Sequence, residues 1–122
     1  MAGSVQVELK GSVIVATFIG EMNKGLVKEA QDDIVRYLSE TDSSKILYNT
    51  LEMAVPAMVL AFDMKAFDDK IRHKIKKSAT VVPGAGTAFK ATISFVLANN
   101  HKIFYNDLQE AVDWIKSSIV SN

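Results

Sequence analysis

Val5, Val7 and Leu9 alternate with Gln6 and Glu8. A period of two predicts a half-buried strand. Lys10-Gly11-Ser12 follows, with a glycine that permits a tight hairpin turn. Residues 13–19 form a nearly continuous β-branched and aromatic run, ended by Gly20. They predict a second strand, antiparallel to the first and more deeply buried. Asn23 is placed to cap a helix. Beyond it, Leu26, Val27, Ala30, Ile34, Tyr37 and Leu38 recur at helical spacing, with Lys28, Glu29, Asp32, Asp33 and Arg36 largely on the other side. The Thr41-Asp42-Ser43-Ser44 cluster ends this helix as a loop.

The second half alternates strand and helix. Residues 45–50 predict a third strand. Pro56 suits the first turn of a helix, and Leu60, Met64, Phe67, Ile71 and Ile75 then form one apolar stripe. That helix is expected to close in a basic segment. Residues 78–82 predict a fourth strand, stopped by Pro83-Gly84, and residues 85–98 a further helix. Residues 102–105 predict a fifth strand. Asp107 with Glu110 fits a capping box, opening a last helix on Leu108, Val112, Trp114, Ile115 and Ile119. The order is β-β-α-β-α-β-α-β-α. It predicts an α/β fold: a five-stranded, mainly parallel sheet with one antiparallel edge strand and four helices. No repeat or linker divides the chain, so residues 1–122 are expected to form one domain.

Composition narrows the function classes. Of 122 residues, 48% are hydrophobic, enough for a core. Fourteen basic and 14 acidic residues cancel, which gives no global reason to expect nucleic-acid binding. There is no cysteine, so disulfides, thiol catalysis and thiolate metal sites are excluded. No apolar run is long enough to span a bilayer. The first ten residues lack a basic segment followed by an apolar stretch, so no secretory signal is expected and a cytoplasmic location follows.

The order of elements resembles the STAS domain, and more closely its SpoIIAA-like branch, which is related in architecture to the Sec14 lipid-binding fold. The resemblance rests on Val5-Gln6-Val7-Glu8-Leu9 and on Val13-Ile14-Val15-Ala16-Thr17-Phe18-Ile19-Gly20-Glu21. It is extended by the closing Ile103-Phe104-Tyr105-Asn106-Asp107-Leu108-Gln109-Glu110-Ala111-Val112-Asp113-Trp114-Ile115. It covers almost the whole chain through patterns of hydrophobicity. STAS antagonists of anti-sigma factors carry a phosphorylatable serine at the start of the second helix, where free N–H groups and the helix dipole favour phosphate. The matching stretch here, Met53-Ala54-Val55-Pro56-Ala57, has no hydroxyl. Thr50 lies upstream on the strand, and Ser43 and Ser44 lie in another loop. The family's phospho-switch does not carry over.

Three features are candidates for function. Leu51 to Phe62 is too apolar for one helical face, and loops after the carboxyl ends of strands are where open α/β sheets bind ligands. It is expected either to fold inward as core or to expose an apolar, methionine-containing binding surface through Met53, Val55, Met58, Val59 and Phe62. The 85–98 helix contains one charge. It is expected to cover its neighbour, to line the ligand site through Phe89 and Ile93, or to pair two copies as a homodimer; an ordinary weakly polar outer face is the plain alternative. The basic segment Lys70, Arg72, Lys74, Lys76 and Lys77, with His73, complements a helix C-terminus. Alternatively, its five lysines and arginines form an anionic-lipid surface.

Catalytic chemistry is sparse. His73 and His101 are the only histidines, no cluster has metal-ligand spacing, and Pro83-Gly84-Ala85-Gly86-Thr87 lacks the ending of a phosphate loop. Glu21 and Glu52 have no evident nucleophile or base to pair with. A non-catalytic module without cofactor is expected. Its leading reading binds a hydrophobic small molecule or lipid, with peripheral membrane contact. The alternative is a protein-interaction regulator of the anti-sigma-factor-antagonist type that lacks the phospho-switch.

Overall fold

The computed structural model describes residues 3–84 and 100–117. β1 (Ser4–Lys10) and β2 (Val13–Gly20) form an antiparallel hairpin in which Lys10 faces Val13. Gly11 takes φ +62 in its two-residue loop, a conformation open to glycine without a steric penalty. β3 (Lys45–Met53), β4 (Lys77–Val82) and β5 (His101–Tyr105) add on one after another, each parallel to the strand before it. The sheet is mixed and five-stranded, and its spatial order equals its chain order.

Three α-helices lie among the described residues: α1 (Lys24–Glu40), α2 (Met58–Ile71) and α3 (Leu108–Lys116). The expected helix over 85–98 falls outside them. Asn23 caps α1, its side chain accepting from the Leu26 N–H at 2.8 Å. At the other end the Thr41 hydroxyl donates to the Tyr37 carbonyl at 2.6 Å, satisfying a carbonyl the helix leaves free. Asp107 caps α3 by accepting from the Glu110 N–H at 2.9 Å. These ends lie where the local sequence placed them.

The strand period sorts the sheet into two cores. On one face Ile14, Ala16, Phe18, Ile46 and Val82 meet Ala30 and Ile34 of α1 and Ile71 of α2. On the other, Val13, Leu47, Ala79, Val81 and Phe104 meet Ala111 and Ile115 of α3. Burying each Ile or Leu contributes about 1.5–3 kcal/mol relative to exposure. The two sets are adjacent in sequence and opposite in direction, so register is fixed: a one-residue slip would exchange them.

Several boundaries differ from the sequence expectation, and three of them bear on the site. β3 runs to Met53 rather than 50, because β2 reaches Gly20 and pairs it with Met53. α2 ends at Ile71; a short 3-10 turn, Arg72–Lys74, replaces its expected basic close, and Ile75 is buried beyond it. β4 begins at Lys77, which places that residue in the sheet. Because strand order never reverses among the described strands, they offer no switch-point crevice of the doubly wound kind. The surface left for binding is the row of loops at the strands' carboxyl ends and the helix that leaves β3. No described helix is long and apolar enough to cross a membrane.

Candidate functional site

The chain turns out of β3 at Ala54, whose N–H donates to the Gly20 carbonyl at 2.9 Å. Gly20 sits at φ +74, which closes the end of β2 against this turn. Pro56 is buried, and Ala57 occupies the N-cap of α2 with φ −61 and ψ 152. An alanine has nothing to offer the free N–H groups, and no side chain caps this helix.

The first two turns of α2 are apolar on both sides. Leu60 and Ala61 are buried, and Met64 and Phe67 pack on the core. Met58, Val59 and Phe62 lie at spacings of one and three on the opposite side. With Val55 they are each between 51% and 54% exposed. Among the described residues the other exposed large hydrophobics, Leu9, Val35 and Tyr105, are scattered singly, which is ordinary for a protein surface. Val55, Met58, Val59 and Phe62 instead fall within eight positions and form one apolar cluster.

The structure therefore divides the expected ligand-binding set. Met53 is buried in the core under α1 and α2. Val55, Met58, Val59 and Phe62 come together outside. Phe89 and Ile93 lie outside the described residues. The segment is thus both core and surface, because a helix carrying apolar residues all round must leave one side facing water when only one side meets the sheet.

The basic segment is divided as well. Lys70, Lys74 and Lys76 are exposed, and Arg72 and Lys77 are not. Lys77 points to the face covered by α3. Its ammonium donates to the carbonyls of Trp114 at 2.6 Å and Ser117 at 3.2 Å. It also lies 4.3 Å from the centroid of the Trp114 ring, within cation–π range. Burial, and then the charge of Lys45, lower its pKa. Lys77 thus holds the C-terminus of α3, where a cation meets the negative end of the helix dipole. A continuous five-residue cationic surface does not form.

Arg72 belongs to a polar cluster between α2 and the sheet. Its guanidinium binds both carboxylate oxygens of Asp68, Nε reaching Oδ2 at 3.1 Å and Nη2 the other oxygen. Nη1 donates to Ser78 Oγ at 2.9 Å and to Asn100 Oδ1 at 3.2 Å. Asn100 Nδ2 donates in turn to the Ile75 carbonyl at 2.8 Å. Ser78 Oγ is also hydrogen-bonded to His101 Nδ1 at 2.6 Å. The other ring nitrogen, Nε2, is hydrogen-bonded to Thr80 Oγ1 at 3.2 Å, so each ring nitrogen has a hydroxyl partner, and a neutral ring donates from one and accepts at the other. Burial, and then the charge of Arg72, lower the His101 pKa to about 4, so the ring is neutral near pH 7. Beside it, burial pushes the Tyr48 phenol up; Asp68 adds to that shift and Arg72 opposes it.

Sequence reading did not join these residues. Their one visible trace is that Ser78 and Thr80 alternate with Ala79 and Val81, which sets two hydroxyls on one face of a fully buried strand. A serine hydrogen-bonded to a histidine has the outline of a nucleophile and its base. The chemistry is closed here, because Ser78 has no exposed surface and the far ring nitrogen is held by Thr80. The cluster fastens the C-terminal end of α2 to β4 and β5. Glu21 and Glu52 are exposed. Among the described residues no group of three or more His, Asp or Glu side chains could hold a metal ion.

Among the described residues, neither Thr50 nor Ser43 places a hydroxyl at the start of α2. Thr50 is buried and donates to the Val81 carbonyl at 2.6 Å. Ser43 is buried and donates to the Ser12 carbonyl at 2.7 Å.

No protein-family model and no curated protein matches the chain. Solved structures do. An uncharacterised DUF3478-family protein with a SpoIIAA-like fold from Shewanella loihica superposes with a TM-score of 0.70 at 14% identity, covering 93% of each chain. An anti-sigma factor antagonist from Mycobacterium paratuberculosis gives 0.68 at 16% identity, over 95% of this chain and 96% of that one. The anti-sigma factor antagonist SpoIIAA in its unphosphorylated form gives 0.72 at 14% identity, over 97% of this chain and all of the other. The chain has a SpoIIAA-like fold. Within that fold it carries Ala57, without a hydroxyl, at the cap of the helix that follows β3.

Proposed function

We propose that this chain is a non-enzymatic protein-interaction regulator of the anti-sigma-factor-antagonist type that works without a phospho-switch. The reading is supported by the two fold neighbours that are anti-sigma factor antagonists. The observation that carries it is the exposed group Val55, Met58, Val59 and Phe62 on the first turns of α2. Protein interfaces concentrate their energy in a few clustered side chains that lose water together. With Ala57 at the cap, the surface is permanently available: no hydroxyl there can take a phosphate and bring charge beside the apolar group.

The test is titration of the purified chain against each anti-sigma factor of its source cell by calorimetry, with the M58D/V59D double variant alongside. Aspartate is favoured in the first turn of a helix, so the variant should keep its fold, which circular dichroism checks. Specific binding that weakens at least tenfold in the variant is expected. Absence of binding to every anti-sigma factor, or binding indifferent to the variant, overturns the reading. Vesicles containing anionic lipid form a second arm. Binding to them alone would favour the lipid reading, in which the same apolar group and Lys70, Lys74 and Lys76 face a membrane.

A further inference from the structure

We draw no further inference here: the strongest candidate, the Ser78–His101 pair that Arg72 joins beneath the C-terminal end of α2, carries nothing because Ser78 has no exposed surface for a substrate or a modifying group to reach, while the apolar face of α2 belongs to the surface already described.

Discussion

Ser78 Oγ shares a hydrogen bond with Nδ1 of His101 across 2.6 Å while accepting another from Arg72. One buried hydroxyl thereby joins the end of α2 to two parallel strands. Ser78→Ala removes it and leaves the His101 ring nitrogen without its hydroxyl partner. Leaving a buried polar group unsatisfied costs about 1–3 kcal/mol. Urea unfolding should show that loss as a lower midpoint with an unchanged slope, while Ser39→Ala on the exposed side of α1 should move it by under about 0.5 kcal/mol. An unchanged midpoint in the Ser78 variant would remove the hydroxyl's structural role.

The same histidine gives stability a defined pH dependence. Its pKa lies at about 4 in the folded chain against 6.5 unperturbed. Between these values the unfolded chain binds a proton that the folded chain excludes, so stability falls as pH drops from 6.5 towards 4 and this contribution levels off below. A shift of that size corresponds to roughly 3 kcal/mol across the window. His101→Asn cannot titrate, so its stability should fall less steeply over the same range. Urea midpoints at half-unit intervals of pH give the comparison. Parallel curves for the two proteins would refute it.

How far these features could be read in advance depends on the range of the interactions. The hairpin, the Asn23 and Asp107 caps and the succession of strands along the chain follow from neighbours within four residues or from periodicity, and the sequence displays both. β3 extends to Met53 because of its partner Gly20, thirty-three positions earlier, and nothing local to Leu51-Glu52-Met53 announces that. The cluster around Arg72 joins positions 68, 72, 78, 80, 100 and 101, which fall in five separate elements or turns and look unremarkable apart. In α2 the pattern was ambiguous for a physical reason. Leu60 and Phe62 are equally apolar, and only the placement of the helix on the sheet decides which meets the core.

Lys77 offers a second structural test. Its ammonium holds the Trp114 and Ser117 carbonyls and faces the indole. Lys77→Met keeps most of the stem and loses the donors. The end of α3 should loosen, with a net destabilisation of about 1 kcal/mol, since losing the hydrogen bonds is partly offset by no longer burying a charge. Trp114 is the only tryptophan, so its fluorescence reports this contact directly. A changed emission maximum is expected in the folded variant. An unaltered spectrum would show that Lys77 does not touch the ring in solution.

The uncapped start of α2 ties stability to function. Ala57 has the extended backbone of an N-cap and no side chain to fill the role. Ala57→Ser supplies an acceptor for the free N–H groups, and such caps stabilise by about 0.5–2 kcal/mol. Ala57→Asp should do at least as well, since its charge also meets the positive end of the helix dipole. Both variants should therefore melt at higher temperature than the parent. They should part company in binding. The serine adds only a small neutral group beside Val55 and Met58, whereas the aspartate sets a charge that an apolar partner must desolvate. Calorimetric titration with the partner should show affinity retained in Ala57→Ser and reduced in Ala57→Asp, despite both folds being more stable. Equal affinity in the two would place the partner's contact elsewhere on the molecule.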